Sequence, residues 1–496
     1  VFILLNSAES RYFSLHLQAK NTDKLFIAMK IIGRYSEMEQ IRRLYEAHSP
    51  EFVVVYGRRR VGKTFLINQF FKDNFTFKVT GLAKKDKNTQ LRNFGEALKR
   101  QGSPLCPIPK NWNEAFGSLR TLIENSGKIG KKVVFIDELP WMYTPRSELV
   151  TAIEHFWNDW GCTREDLMLI VCGSATSWIT KNILRNKGGL HNRVTSKIYL
   201  RQFNLAECRD YLIEAGFRYE EKDIAECYMI MGGIPYYLSL LDKGLSLAQN
   251  VDRMFFQRNG KLDGEFQNLY ASLFDNSEPY LKVIETLSKR NYGMTRNEII
   301  EQTGLPDGGG LSTILSDLDS CDIIRKYRAF GKKENDTIYQ LTDFYTLFYY
   351  KFIKKYGTSD KDFWAYQTAT PTHSTWAGIA FEQLCIQHHL QIEKKLGIFG
   401  MLTETFSWRS KDAQIDMIIK RADKVINICE IKWWDGPFTI SRKYRETLES
   451  KIESFRSQLK LRRTLHLVMV TTFGLRHNEY SSIVQNEVTM HDLFEK

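Results

Sequence analysis

"VVVYGRRRVGKTFLINQFF", Val53 to Phe71, decides how the first half of this 496-residue chain is read. Val53-Val54-Val55-Tyr56 is a β-branched run of the kind buried in a parallel sheet, and Leu66, Ile67, Phe70 and Phe71 recur at helical spacing. Between them, Gly57-x-x-x-x-Gly62-Lys63-Thr64 has the spacing of a phosphate-binding loop. In such a loop the backbone from Gly57 through Arg58, Arg59, Arg60 and Val61 to Gly62 wraps phosphate oxygens. Lys63 reaches the β and γ oxygens, and Thr64 coordinates Mg2+. A Gly/Arg-rich surface turn is the plain alternative, and the strand-loop-helix context argues against it.

Two further strands are expected downstream. "KKVVFIDELPWM" ends in Asp137-Glu138, where Asp137 would hold the metal and Glu138 would polarise water. "LMLIVCGSATSW" ends at Ser174, placed either to sense the γ-phosphate or to cap the next helix. Together with "GGLHNR" and "MGGIPYYL", these motifs resemble the archaeal-type P-loop ATPases of the AAA-related class over roughly residues 29–274. The resemblance implies ATP with Mg2+. It also implies that Arg193 touches the γ-phosphate in cis or across a subunit interface, which leaves a homo-oligomer open. Gly232-Gly233-Ile234-Pro235 would sit in a helical lid; an ion-paired surface role for Arg193 is the alternative.

From Glu278 the order helix, helix, Gly turn, helix, then strands over Ile323 to Tyr327 and Thr337 to Leu341 is that of a winged helix. Its third helix, near Leu311 to Ser320, would be the DNA reader. Between Leu305 and Asp322, however, there is no Lys or Arg, while Asp307, Asp317, Asp319 and Asp322 are acidic, so a packing role between domains is expected instead. Residues Phe344 to Tyr356 read as a connecting helix.

The last part opens with "STWAGIAFEQLCIQHHLQI", a buried helix capped by Ser374 or Thr375 and carrying Glu382. "AQIDMIIKRAD" and "KVINICEIKWW" form a hairpin turning at Arg421 to Lys424, with Ile426, Ile428, Glu430 and Lys432 on one face and Asp416 brought beside Glu430. Asp416, Glu430-x-Lys432 and Glu382 resemble the PD-(D/E)XK nuclease fold, although Ile415 stands where that family often has Pro. The resemblance implies that Asp416, Glu430 and Glu382 bind Mg2+ and that Lys432 supports phosphodiester hydrolysis. The alternative is a buried Glu–Lys ion pair in a domain that only retains the fold. Arg442, Lys443, Arg445, Lys451, Arg456, Lys460, Arg462 and Arg463 make the following helix basic, either tracking a nucleic-acid backbone or merely solvated. His388 and His389 read as surface residues rather than metal ligands.

The expected class is therefore multidomain α/β. Residues 1–28 would be an upstream extension, 29–200 a P-loop parallel sheet, 201–275 the helical lid and 276–345 the winged helix. Residues 346–374 would be the connecting helix and 375–496 a restriction-endonuclease-like domain. A net charge of +12 is compatible with nucleic acid, DNA more than RNA, without demanding it. Eight scattered cysteines lack disulfide or zinc spacing and fit a reducing cytoplasm. No apolar run reaches the roughly 18 residues of a membrane span. Two functions follow: an ATPase controlling a metal-dependent nuclease, or a signalling or scaffold ATPase whose nuclease-fold module is an inert recognition surface.

Overall fold

Apolar runs without alternation make strands buried on both faces, and three such runs build the first sheet. The computed structural model describes residues 31–496 apart from 73, 187, 275, 329, 332–336, 358–361, 411–412 and 460–462. The expected extension at 1–28, and Lys460 and Arg462, lie outside the described residues. The chain divides into two compact units, one taking residues up to Val55 with Lys63–Cys172 and Asn192–Ile198, the other Tyr56–Gly62, Gly173–His191 and Tyr199–Lys496.

The first unit holds most of a five-stranded sheet built from β1 (Glu51–Tyr56), β2 (Phe77–Thr80), β3 (Lys132–Asp137), β4 (Leu167–Gly173) and β5 (Ser196–Tyr199). The order is β2-β3-β4-β1-β5, and β2, β3 and β4 pair in parallel. Every residue of β3 and β4 is buried, as their unbroken apolar text requires. Phe94, Trp112, Phe116 and Phe156 join three of the covering helices through ring contacts of 5.3–5.8 Å.

After the loop 56–62 and the segment Gly173–His191, which carries helix Thr176–Ile179, the second unit continues with the helices Leu205–Glu214, Glu221–Met231, Pro235–Leu238, Leu247–Val251 and Glu265–Leu273. Asn204 starts the first with a capping box to Glu207, the sequence device that closes orphan N–H groups. Next come helix Glu278–Ser288, β6 (Met294–Thr295), helices Arg296–Thr303 and Gly309–Ser320, then β7 (Ile324–Arg328) and β8 (Thr337–Leu341). The strands form an antiparallel sheet of order β6-β8-β7. Leu311, Ile314, Leu315 and Leu318 of Gly309–Ser320 are buried, and its acids are engaged: Tyr280 donates to Asp317 at 2.7 Å and Lys326 pairs with Asp319 at 3.1 Å. Phe330, beyond β7, packs on Phe406 and Phe455 of the last sheet's layer at 5.6 and 5.1 Å.

Phe344–Phe348 continues through a π turn, Tyr349–Ile353, into Lys354–Tyr356. Helix Pro371–Gln387 then begins at Thr370, whose side chain accepts from the His373 N–H. The expected cap at Ser374 or Thr375 was one turn late, because Pro371 is suited to the first helical position and draws the start back. The final domain is a mixed sheet of order β13-β12-β11-β10-β9, from β9 (Thr403–Arg409), β10 (Gln414–Arg421), β11 (Val425–Lys432), β12 (Thr464–Thr471) and β13 (Asn486–Thr489). β10 and β11 are the expected hairpin, with Met417 opposite Cys429; β11, β12 and β13 run parallel. Among the described residues no helix is long and apolar enough to cross a membrane.

Candidate functional site

The phosphate-loop segment is built as its spacing requires. After β1 the backbone turns through Gly57 at φ 143° and Gly62 at φ 91°, and helix Lys63–Phe71 follows. A Cβ on Gly57 would lie 2.3 Å from the Leu200 carbonyl oxygen, so only glycine fits that close approach. Arg60 is held at φ 72°, a left-handed conformation costing about 1–2 kcal/mol for a residue with a side chain. Lys63 and Thr64 stand in the first turn of the helix, where backbone N–H groups and the dipole favour an anion.

Thr64 Oγ1 lies 3.1 and 3.0 Å from the two carboxylate oxygens of Asp137. Asp137 ends β3 and is 3 % exposed; burial raises its pKa, opposed by the Thr64 and Cys172 hydrogen bonds and the Lys63 charge. A hydroxyl and a buried carboxylate meeting at one point form the oxygen donor set that a hard divalent cation takes. Glu138 follows at φ 47°, before helix Leu139–Met142. Ser174 is buried beyond β4, and Ala175 stands at the cap of the next helix, Thr176–Ile179. Arg193 is exposed.

Two of the loop's three arginines are ion-paired, which their sequence context did not reveal. Arg58 is 3 % exposed and ion-paired with Asp343, and Arg60 pairs with Glu265 while its guanidinium stacks 4.4 Å over the Tyr236 ring. Burial alone would lower the Arg58 pKa; the Asp343 charge and hydrogen bond reverse this and raise it.

Comparison with known proteins bears on this segment. Residues 32–241 match the family model described as an ATPase domain predominantly from Archaea. This stretch is an archaeal-type ATPase domain. The chain is 22% identical over 408 residues to an uncharacterized protein of Methanocaldococcus jannaschii, covering 82% of this chain and 88% of the relative. A 42-residue stretch is 38% identical to an uncharacterized ATP-binding protein of the same organism, covering 8% of this chain and 71% of that one. Among solved structures, a Walker-type ATPase of Pyrococcus abyssi aligns at TM-score 0.47 and 16% identity, over 65% of this chain and 96% of its own. The Aeropyrum pernix ORC2 protein aligns at 0.38 and 13%, over 74% and 98%.

In the C-terminal domain the expected acids gather, but differently from expectation. β11 is covered on one face by Leu448 and Phe455 of helix Arg442–Ser457, in one core with Ile426 and Ile428. Glu430, 1 % exposed, receives Lys432 at 2.9 Å, Lys451 at 2.9 and 2.8 Å, and the Tyr444 hydroxyl at 2.8 Å. Burial opposes its charge, and Lys432 and Lys451 nonetheless hold its pKa below the usual range. Asp416 accepts from the Ile431 N–H at 3.1 Å; burial and then Glu430 push its carboxyl up to about 6. Glu382, from helix Pro371–Gln387, is pushed up to about 8 by burial and by Asp416.

Two ammonium groups and a phenol thus already lie on the Glu430 oxygens. Among the described residues no three His, Cys, Asp or Glu are grouped to hold a metal ion. Lys451 and Tyr444 were missed in these roles; their signal was the spacing Tyr444, Leu448, Lys451, Phe455, one helical stripe on which a lysine stands among core positions.

On helix Arg442–Ser457, Arg442, Arg445 and Arg456 pair along the helix with Glu446, Glu449 and Glu453 at 3.3, 2.9 and 3.0 Å. His388 is buried, not on the surface: its Nε2 accepts from the Leu205 N–H at 3.1 Å and its Nδ1 lies 2.9 Å from the Leu384 carbonyl.

Proposed function

We propose that the chain is an ATP-binding and ATP-hydrolysing switch of the AAA-related class whose C-terminal domain is a nuclease-fold module that recognises nucleic acid, DNA before RNA, without hydrolysing it. The observation that carries the ATPase half is the Thr64 hydroxyl set against both oxygens of buried Asp137. Thr64 and Asp137 would hold Mg2+, which when bound neutralises charge on the phosphate oxygens. The chain's own groups do the rest. N–H groups from Gly57 to Gly62 and the Lys63 ammonium bind and orient the phosphates, Glu138 orients the attacking water, and Ser174 reports on the γ-phosphate. Arg193 reaches the same phosphate in cis or from a second copy. Residues 201–275 act as the lid, 276–345 as a winged helix used for packing, and 375–496 as the module.

The inert reading of the module is supported by the saturation of Glu430 by Lys432, Lys451 and Tyr444. A metal-dependent nuclease is the second reading, favoured by one observation: the Asp416 charge raises the protonation of Glu382, a repulsion that a divalent cation would relieve. Incubation of the full chain with duplex and single-stranded DNA and RNA, with and without ATP and Mg2+ or Mn2+, separates the two. ATP turnover and nucleic-acid retention without cleavage support the first. Metal-dependent cutting that disappears in Asp416→Ala overturns it in favour of the second.

A further inference from the structure

Arg58 and Arg60 occupy variable positions of the phosphate loop, and each is tied to a carboxylate far along the chain. Asp343 does two things with one carboxylate. It pairs with Arg58, and its Oδ1 accepts the Thr346 N–H at 2.8 Å, with the Thr346 hydroxyl on the same oxygen, which starts helix Phe344–Phe348. Thr346 in turn bonds the Tyr270 hydroxyl at 2.7 Å. Glu265, first residue of helix Glu265–Leu273, accepts from Tyr237 at 2.7 Å and pairs with Arg60. Arg58, Asp343 and Glu265 are all buried, so neither tether is a screened surface pair.

We infer that Asp343 is a positioning residue of the phosphate loop, which couples nucleotide occupancy to the order of the segment Phe344–Tyr356. This rests on the ATPase reading. A loop that binds phosphate through backbone N–H groups must present them in one arrangement, and here part of that arrangement is the left-handed Arg60. The Arg58–Asp343 and Arg60–Glu265 pairs hold the loop from both sides of Arg59. Because Asp343 also caps the helix, a shift of the loop on phosphate binding alters the cap, and by linkage the state of the cap alters nucleotide affinity.

The test uses the full chain and steady-state ATP hydrolysis. Asp343→Asn keeps an oxygen for the Thr346 N–H but removes the charge opposite Arg58. It is expected to raise the KM for ATP about 10-fold or more while kcat stays within about 3-fold. Asp343→Glu, which restores the charge, is expected to recover much of the lost affinity. ATP should slow amide exchange in Phe344–Tyr356 of the parent chain and fail to do so in Asp343→Asn. Should Asp343→Asn not fold, Glu265→Gln provides the same KM-against-kcat comparison at the other tether. An unchanged KM in a folded variant, or exchange in Phe344–Tyr356 indifferent to ATP in an active parent chain, overturns the proposal. A parent chain that neither binds nor hydrolyses ATP overturns the ATPase reading instead.

Discussion

The Lys451 ammonium bridges both carboxylate oxygens of Glu430, at 2.9 and 2.8 Å. Lys432 adds a second cation at 2.9 Å, so a carboxylate that burial would protonate stays ionised. The pair joins helix Arg442–Ser457 to the central strand of the C-terminal sheet.

Removing one partner of such a buried pair leaves charge uncompensated. Lys451→Met should cost about 3 kcal/mol in urea denaturation, whereas Arg442→Ala, in an exposed pair with Glu446, should cost under about 0.5 kcal/mol. Equal costs would show that Lys451 does not stabilise Glu430 as its geometry indicates.

For ATP turnover, Lys63→Ala should abolish hydrolysis by removing the cation at the phosphates. Glu138→Gln should leave nucleotide binding intact while slowing turnover about 100-fold or more. Equilibrium binding of a fluorescent ATP analogue and phosphate release measure the two halves, and full turnover in both variants would misassign the site.

The pH dependence of stability has a defined sign at His388. Burial first, with a lesser contribution from His389, pushes its pKa from 6.5 down to about 4. The folded state thus binds fewer protons than the unfolded state across that window. Stability contributed by neutral His388 is complete above pH 6.5 and is lost as pH falls toward 4, by about 3 kcal/mol in all. Denaturation midpoints measured from pH 7 to 4 should fall less steeply in His388→Phe, which has no group to protonate. Parallel slopes would place the acid sensitivity elsewhere.

Backbone proximity in the helical region gives a steric test. A Cβ on Gly233 would lie 1.9 Å from the Phe203 carbonyl oxygen, which accepts no such neighbour without moving the chain. Gly233→Ala should therefore destabilise by about 3 kcal/mol or more. Gly232→Ala has its nearest atom at 3.4 Å and faces only the backbone conformation, φ 67° with ψ 179°, a region nearly confined to glycine, at about 1–3 kcal/mol. Thermal unfolding that ranks the two in reverse order would refute this account.

By itself, the sequence determined the parts whose physics is local. Val53-Val54-Val55, the glycines at 57 and 62, and Lys63-Thr64 specify strand, loop and helix within 19 residues, and the β10–β11 hairpin follows from a polar turn between two apolar runs. The start of helix Pro371–Gln387 was missed by a turn, because Pro371 competed with Ser374. Tertiary structure decided what those local pieces meet. Arg58 and Asp343 are 285 positions apart, so no spacing rule could pair them. The same holds for Lys451, which composition counted among the charges of a basic helix and packing turned onto Glu430. Charge in a sequence carries no direction; burial supplies one, because a charge removed from water must find its partner wherever the fold has placed it.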